Sequence, residues 1–307
     1  MSELKLKEDT TIKYDELTQC YHFPQMVNCK HKKIASRAFP NLMGKNKWES
    51  AGKTILSLCK LEQFEPIDPF YTLRGDIGEL LVFQYFNDTY PVKLRTWTKK
   101  EVDYDNFKNN LNFGGLIDIA ITGLEEGFKN EEFTDDSVRA VIEVKSKSLI
   151  KRYKGNAIDN RKTILEEGLP IEETLQGEFL GHMSKVTAYI MTYIFFNEEQ
   201  EETLKECVKT IKDINNYNPH EVLRELGWTY KDVVIEEVRN IVRNEFIEQQ
   251  MKYTLNTLNQ AVKTGNIHKM FFSNQDKIYL DNIIMNGGKK ETITTKDNEE
   301  WPKDLPF

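Results

Sequence analysis

Apolar positions along the chain recur with two periods, and each period predicts a type of element. Apolar residues at helical spacing predict helices over 48–58 and 71–88. Runs of β-branched and aromatic residues predict three strands after them, at 90–98, 114–123 and 138–148. A further segment opens at Pro170 as a helix and passes into a strand near Ala188. The predicted order is therefore helix, three strands, helix and strand.

The last third of the sequence is predicted to be helical from about residue 200. Asn218 is a typical N-cap, Pro219 suits the first helical position, and Gly227 marks the end of that helix. A helical stripe of apolar residues, expected to pack into the core, follows at Val234, Val238, Ile241 and Phe246. Residues 265–288 predict either a short hairpin or an edge strand. From Gly287 onward the polar sequence predicts a mobile tail.

Composition places the chain among ordinary globular proteins. It has 307 residues, of which 39% are hydrophobic and 30% charged, which suits one large domain or two smaller ones. No apolar run reaches the length of a membrane span, and the charged N-terminus lacks the apolar core of a signal peptide, so we expect a cytoplasmic protein. The net charge of −7 argues against a nonspecific nucleic-acid coat. Lysine and arginine nevertheless concentrate in 30–53 and 143–162, which indicates either a local anion site or solvated loops.

Four cysteines are spread over the chain without a CxxC pair, which argues against a disulfide framework in a chain of this size. Cys20 and Cys29 are each followed two positions later by a histidine, His22 and His31. These four side chains are potential zinc ligands, although one intervening residue is fewer than the about two to four that are usual in zinc sites. An ordinary loop with incidental cysteine and histidine is the alternative.

Charged residues interrupt three consecutive apolar elements. Asp118 lies within the predicted strand "LIDIAI", and Glu79 lies on an otherwise apolar helix. In the next strand, Glu143 and Lys145 are two positions apart, so their side chains project to the same side. Converging carboxylates repel one another unless a cation lies among them, and oxygen ligands of this kind suit Mg²⁺ or Mn²⁺. A salt bridge at the rim of the sheet is the simpler alternative for Glu143 and Lys145.

This ordered set of residues resembles the PD-(D/E)XK nuclease superfamily over about residues 30–200. In that superfamily a metal-binding Asp on one strand precedes a Glu-x-Lys on the next, and the matching positions are Asp118, Glu143 and Lys145. The resemblance implies an α/β fold with a restriction-endonuclease-like αβββαβ core, a mixed central sheet flanked by helices, and here a helical C-terminal extension. The motif "GDIGE", which ends in Glu79, is similar to the upstream glutamate motif of the lambda exonuclease and YqaJ-type branch.

Further positions resemble the same branch and its RecB-like neighbours. Gln176 matches a glutamine on the helix after the Glu-x-Lys strand, whereas Leu180 stands where the RecB-like pattern prefers tyrosine. Ser36 and Arg37 loosely match an N-terminal segment in which a serine or arginine contacts DNA phosphate. An iron–sulfur form would need three clustered C-terminal cysteines, and this chain has only Cys207 there, so we expect no iron–sulfur cluster.

The resemblance implies Mg²⁺- or Mn²⁺-dependent hydrolysis of phosphodiester bonds in DNA. One ion would be held by Asp118, Glu143 and the backbone carbonyl of Val144. Glu79 would hold a second ion or a water on the first. Lys145 would orient or deprotonate the attacking water, and Gln176 would position that lysine or the scissile strand. The DNA backbone would be gripped by Lys147, Lys151, Arg152 and Lys154.

The implied activity is that of a DNA exonuclease, typically phage-encoded, which resects duplex ends for recombination or repair. An endonuclease of the same superfamily and a non-catalytic adaptor of a replication complex remain alternatives, and formation of a homo-oligomer is left open. The corresponding division of the chain is a DNA-end-binding segment (1–60), the nuclease core (61–200), a helical extension of the same domain (201–286) and a mobile acidic tail (287–307).

The chain ends in "DNEEWPKDLPF", which resembles the acidic C-terminal tip of bacterial single-stranded-DNA-binding proteins. A mobile peptide that presents an aromatic ring and carboxylates suits an apolar pocket rimmed by arginine or lysine. The predicted partner-binding residues are Asp304, Leu305, Pro306 and Phe307. The expected partners are host replication or repair enzymes that bind such tips, or a single-strand annealing protein. A frayed chain end is the alternative.

Overall fold

A computed structural model describes residues 3–63, 66–96, 112–124, 138–214 and 216–287. The chain divides into two compact units. The described residues of the first unit are 3–32, 41–63 and 254–287. Those of the second unit are 33–40, 66–96, 112–124, 138–214 and 216–253. In the described part of the chain, no helix is long and apolar enough to cross a membrane.

The described elements have the following bounds. The strands are β1 (Lys13–Asp15), β2 (Cys20–His22), β3 (Val92–Thr96), β4 (Ile119–Leu124), β5 (Ala140–Ser148), β6 (Ile150–Tyr153), β7 (Asn156–Asp159), β8 (Ala188–Phe196), β9 (Val234–Ile241) and β10 (Asn266–His268). The helices are α1 (Ala38–Leu42), α2 (Ala51–Leu58), α3 (Pro69–Thr89), α4 (Asn160–Glu167), α5 (Ile171–Met183), α6 (Glu198–Thr210), α7 (Pro219–Leu226), α8 (Asn244–Thr264) and α9 (Asn274–Gly287).

The second unit is built on a five-stranded sheet in the order β3-β4-β5-β8-β9. β5 and β8 run parallel, and the other neighbours run antiparallel. The elements α3, β3, β4, β5, α5 and β8 follow one another in the predicted order, with β6, β7 and α4 inserted between β5 and α5. The predicted αβββαβ core with a mixed central sheet flanked by helices is therefore confirmed.

Helix α3 covers one face of this sheet. Asp68 caps its N-terminus by accepting a hydrogen bond from the amide of Phe70, and Pro69 occupies the first turn, where no amide donor is needed. The residues that form a common core are Leu73, Ile77, Leu80, Leu81, Val82 and Phe86 of α3 with Ile142, Val144, Ile194 and Phe196 of the sheet. Gly78 marks the closest approach, because a Cβ atom there would collide with the side chain of Ser146.

Helix α5 covers the opposite face, onto which Glu143 and Lys145 project. Strand side chains alternate in direction, so these two residues point away from the core that Ile142 shares with α3. On this side, Gly177 lies so close to the buried ring of Tyr189 that a side chain at position 177 would overlap it. This close approach brings the polar residues of α5 next to β5.

One predicted helix is wrong at its start. Residues 234–241 form strand β9 rather than the first turns of a long helix, and the helix α8 begins only at Asn244. β9 pairs with β8 along its whole length, so β8 has a neighbouring strand on each side. Because the backbone groups of a buried strand need partners, strand pairing outweighs the helical spacing of the apolar residues. The rest of the predicted extension is largely helical, with α6, α7, α8 and α9.

Two details near the predicted site also differ from expectation. The stretch around Lys154, within the basic segment 143–162 for which solvated loops were one expectation, is an antiparallel hairpin of β6 and β7 followed by α4. Its two turn residues, Lys154 and Gly155, have φ angles of 49° and 83°, as two-residue hairpin turns require. Asp118 lies at a bend just before β4 rather than inside the strand.

The first unit contains a three-stranded antiparallel sheet in the order β1-β2-β10. The edge position of β10 confirms the predicted edge strand, whereas residues 274–287 form the helix α9. The predicted helix over 48–58 is confirmed as α2, which Ser50 caps. The Ser50 hydroxyl also donates to Asp276 of α9 at 2.7 Å, so α2 and α9 are joined at their N-termini.

Candidate active site

Glu143 and Lys145 lie side by side on β5. The Nζ atom of Lys145 donates to Oε1 of Glu143 at 2.6 Å, and Glu143 is only 3% exposed. The other carboxylate oxygen of Glu143, Oε2, is buried and has no hydrogen-bond partner among the described residues. Because a buried carboxylate oxygen without a donor is costly, Oε2 marks a position where a cation or a donor is expected to bind.

Asp118 joins this pair from the bend that precedes the neighbouring strand β4. β4 and β5 pair Ile119 with Ile142, so Asp118 stands next in register, opposite Glu143. The Oδ2 atom of Asp118 accepts a hydrogen bond from the backbone amide of Val144 at 2.8 Å. Two carboxylates and one ammonium group therefore converge where the pairing of β4 with β5 ends.

The three charges act on one another strongly. Burial, and then the negative charge of Glu143, raises the pKa of Asp118 to about 8. Burial on its own would lower the pKa of Lys145, but the carboxylates of Glu143 and Asp118 outweigh it and raise that pKa. Two close carboxylates with a single ammonium group favour the binding of a further positive charge.

The residues present fit a hard divalent cation. Asp118 and Glu143 supply carboxylate oxygens, which are the ligands that Mg²⁺ and Mn²⁺ prefer. Among the described residues, no group donates a hydrogen bond to Oε2 of Glu143. Within the described ranges, no three carboxylate, imidazole or thiol side chains come together as ligands of one ion. Mg²⁺ usually keeps several waters and takes only one or two protein carboxylates, which is the number that this site offers.

Gln176 reaches the site from α5. Its Nε2 atom donates to Oε1 of Glu143 at 2.6 Å and lies 3.5 Å from Oγ of Ser36. Ser36 is buried, and backbone hydrogen bonds of Ile34 hold this segment to residues 112–114. The predicted site residues that the structure brings together are thus Asp118, Glu143, Lys145, Gln176 and Ser36.

Glu79 is not brought into this group. It lies on α3, which packs on the face of the sheet opposite to the one that carries Glu143. Burial, the hydrogen bond to Asp76, and then the charges of Asp76 and Glu79 raise the pKa of Tyr217. Since no three-ligand group forms within the described ranges, the metal role of Glu79 stays a prediction.

Glu173 and Tyr193 lie beside the site, and the sequence analysis did not single them out. Lys147 donates to Oε1 of Glu173 at 2.9 Å, and the buried Tyr193 hydroxyl donates to Oε2 of the same carboxylate. Glu173 and Gln176 are three positions apart on α5, so one helix face contacts both Lys147 and Glu143. Because Glu173 lies three positions before Gln176 on a helix that was expected to flank the sheet, this spacing is the sequence signal that could have identified Glu173.

The other predicted DNA-binding residues differ in their surroundings. Arg152 is paired with Glu198 at 2.9 Å on the surface. Lys151 and Lys154 are exposed, and neither binds a carboxylate among the described residues. Arg37 is exposed as well, one position after the buried Ser36. DNA binding by these side chains stays a prediction.

The four potential zinc ligands do not come together as one site in the described residues. The four side chains Cys20, His22, Cys29 and His31 have different partners, respectively Thr18, Asn266, Cys59 and Asn259. Burial, and then the hydrogen bond with Cys29, raises the pKa of the Cys59 thiol. Among the residues described, no group of three or more potential ligands forms there.

The acidic tail lies outside the described residues. Its predicted partner-binding positions are Asp304, Leu305, Pro306 and Phe307. Their role, like the functional division of the chain into four segments, stays a prediction.

Comparison with known proteins finds few relatives in sequence. No protein-family profile matches the chain. It is similar to the uncharacterized protein MG373 of Mycoplasma genitalium, at 28% identity over 152 residues that make up 48% of this chain and 50% of that protein. The chain therefore spans about half the length of the curated relative that it matches.

Among solved structures, the chain is similar to exonucleases. One is an alkaline exonuclease from Laribacter hongkongensis, with 10% identity and a TM-score of 0.43 over 75% of this chain and 90% of that one. The same exonuclease in complex with dAMP gives 12% identity and a TM-score of 0.40. A phage-related exonuclease from Haemophilus somnus 129PT shares 11% identity, with a TM-score of 0.42 over 76% of this chain and 95% of that one.

Proposed function

We propose that this chain is a metal-dependent nuclease that hydrolyses phosphodiester bonds of DNA. The observation that carries the proposal is the convergence of Asp118, at the bend before β4, with Glu143 and Lys145 of β5, around a buried carboxylate oxygen that has no donor among the described residues. Such a site can hold a cation with its carboxylates and meet a phosphate with its ammonium group. The resemblance of the motif to the PD-(D/E)XK superfamily supports the same conclusion.

Each residue has a role that its contacts support. Asp118 and Glu143, with the backbone carbonyl of Val144, would hold a Mg²⁺ or Mn²⁺ ion, which when bound acidifies a water and neutralises charge on the phosphate. The ion pair with Glu143 holds the Lys145 ammonium beside these carboxylates, where it can orient the water or offset negative charge on the phosphate. The hydrogen bond from Gln176 restrains the Glu143 carboxylate from the side of α5.

We further propose that the substrate is the end of a DNA duplex and that the process served is recombination or repair. This part of the proposal is supported by the resemblance of the "GDIGE" motif and of Gln176 to the lambda exonuclease and YqaJ-type branch. An endonuclease would use the same chemistry on closed DNA, so the form of the substrate distinguishes the two activities.

The experiment is digestion of end-labelled linear duplex DNA beside a matched closed circle. Each is incubated with Mg²⁺ or with EDTA, using the wild-type chain and Lys145→Ala. We expect Mg²⁺-dependent loss of the linear form alone, and no loss with Lys145→Ala. A melting curve of each protein shows that both are folded.

The other outcomes are equally informative. Cutting of both forms would favour an endonuclease and overturn the preference for ends. Equal cutting by wild type and by folded Lys145→Ala would overturn the assignment of the site. A folded wild-type chain that binds DNA without cutting it would favour a non-catalytic adaptor.

A further inference from the structure

A short basic hairpin follows the strand that carries Glu143 and Lys145. β6 begins two residues after β5 ends, and β7 leads directly into α4. The base of the hairpin is fixed to the sheet, because the amide of Leu149 donates to the carbonyl of Phe196 at 2.7 Å and the side chain of Asn160 donates to the carbonyl of Ser148 at 2.8 Å. The hairpin is therefore held in a set position relative to the end of β5.

The two faces of this hairpin carry different residues. Lys151 pairs with Ile158, and Tyr153 pairs with Asn156, so these four side chains lie on one face. We call this face, made of Lys151, Tyr153, Asn156 and Ile158, the outer hairpin face. The inner hairpin face consists of Ile150, Arg152, Ala157 and Asp159.

The inner hairpin face makes two polar contacts within the protein. Arg152 is paired with Glu198 at the start of α6 at 2.9 Å. Asp159 caps α4 by accepting a hydrogen bond from the amide of Lys162 at 3.0 Å. The ion pair and the helix-capping contact that the hairpin makes among the described residues therefore both come from its inner face.

The outer hairpin face has no comparable partners among the described residues. Tyr153 is 54% exposed and Ile158 is 37% exposed. The ammonium group of Lys151 binds no carboxylate in the described part of the chain, and Lys154 in the turn lies 5.4 Å from the ring centre of Tyr153. An exposed aromatic ring flanked by two lysines and an amide offers base stacking together with phosphate binding, and its charge is opposite to that of DNA.

We infer that the outer hairpin face binds a single strand of the DNA substrate, with Tyr153 stacked on an unpaired base. The inference rests on the proposed nuclease function and names the surface that holds the strand near the scissile bond. A single strand is specified because a protruding ring can stack only on a base whose face is free. Tyr153 is eight residues beyond Lys145, which at about 3.3 Å per residue places the stacked base within about 26 Å of the candidate active site.

The test is the affinity of the full chain for a fluorescently labelled single-stranded oligonucleotide, measured by anisotropy in EDTA so that cleavage plays no part. We expect Tyr153→Ala to weaken binding about 5- to 100-fold and Tyr153→Phe to restore it. Lys151→Gln is expected to weaken binding and to reduce the dependence of the logarithm of affinity on the logarithm of salt concentration by about 0.7. The matched control is Lys209→Gln, which removes the same charge from an exposed lysine of α6 that is paired with Glu206, and it should change affinity by less than about twofold.

Each outcome bears on one of the two proposals. If the wild type binds and cuts DNA and Tyr153→Ala binds as tightly as wild type, the inference is overturned while the nuclease function stands. If Lys209→Gln weakens binding as much as Lys151→Gln, the protein binds DNA through overall charge and the outer hairpin face is not the binding surface. If a folded wild-type chain neither binds nor cuts DNA, the proposed function itself fails and the inference fails with it.

Discussion

The side-chain amide of Gln176 lies 2.6 Å from Oε1 of Glu143, although 33 residues separate the two along the chain. The same oxygen accepts the ammonium group of Lys145, whereas Oε2 of Glu143 has no donor among the described residues. The carboxylate is thus restrained through one oxygen, while the other is left for a ligand. The contact depends on the close packing of α5, where Gly177 meets the ring of Tyr189.

The first prediction concerns Gln176. Replacement by alanine removes one donor from Oε1 and lets the Glu143 carboxylate rotate, so we expect cleavage or Mg²⁺ affinity to fall about 10- to 100-fold. Ser36→Ala is the matched variant, because its hydroxyl lies 3.5 Å from the same amide nitrogen and contributes a weaker contact. Rates over a Mg²⁺ titration measure both effects. A larger loss for Ser36→Ala than for Gln176→Ala would contradict the proposed order of importance.

The second prediction separates two lysines on one face of β5. Lys145→Ala should abolish detectable cleavage, a loss of about 10²-fold or more, because the ammonium group next to the proposed scissile phosphate is removed. Lys147→Ala should retain cleavage within a few-fold, because Glu173 already neutralises Lys147. Initial rates with linear DNA, together with melting curves, provide the comparison. Equal losses in the two variants would show that the assignment of Lys145 is not specific.

The third prediction is a metal-dependent gain in stability. Mg²⁺ or Mn²⁺ bound to the folded chain should raise the melting temperature by a few degrees, and EDTA should reverse the gain. Glu143→Gln or Asp118→Asn should abolish it, because each removes one of the two carboxylates. Glu173→Gln serves as the control, since it removes a carboxylate beside the site and should retain the response. A gain that persists in Glu143→Gln would place the ion elsewhere.

The fourth prediction compares two glycines of the "GDIGE" motif. Gly78→Ala should destabilise the fold by about 1–3 kcal/mol, because the added methyl group overlaps Ser146 and presses on Ile194. Gly75→Ala, one turn earlier in α3, meets nothing within 4 Å and should stabilise by about 0.4–1 kcal/mol through the reduced entropy of the unfolded chain. Urea unfolding measures both changes. The same sign in both variants would contradict the packing of α3 on β5.

The fifth prediction tests the link between α5 and β8. Tyr193 donates to Glu173 from a buried position, so Tyr193→Phe and Glu173→Gln should each lower stability by about 1–3 kcal/mol. In the double variant we expect the losses to be less than additive by about 0.5–3 kcal/mol, because both remove the same interaction. The measurement is a double-mutant cycle, in which the unfolding free energies of the wild type, the two single variants and the double variant are compared. Additive losses would show that the two side chains act separately.

Much of the candidate site could be predicted from sequence because its signals are local. A charged residue within an apolar segment is visible in the local sequence, and this pattern identified Asp118 and Glu143. The side-chain alternation of a strand then placed Lys145 beside Glu143 without any knowledge of the sheet. The order of helix, three strands, helix and strand followed equally from local periodicity, and the structure confirms it.

The remaining features depend on which elements are neighbours. Val234 and Ile241 have a spacing that suits a helix, yet they lie in a strand because the exposed edge of β8 offers backbone partners. Glu79 is a conspicuous acid on α3, and its predicted metal role depends on how α3 packs against the sheet, which local sequence does not determine.

The sequence by itself determined the order of elements from α3 to β8 and the chemical groups they carry, because helical and strand periodicities and isolated charges are properties of neighbouring residues. Only the tertiary structure decided which of these groups meet, namely Gln176 with Glu143, and Glu173 with Lys147 and Tyr193. It also decided that Tyr153 lies on the outer hairpin face. Those contacts join residues far apart in the chain or depend on the pairing register of two strands, and neither is encoded in local periodicity.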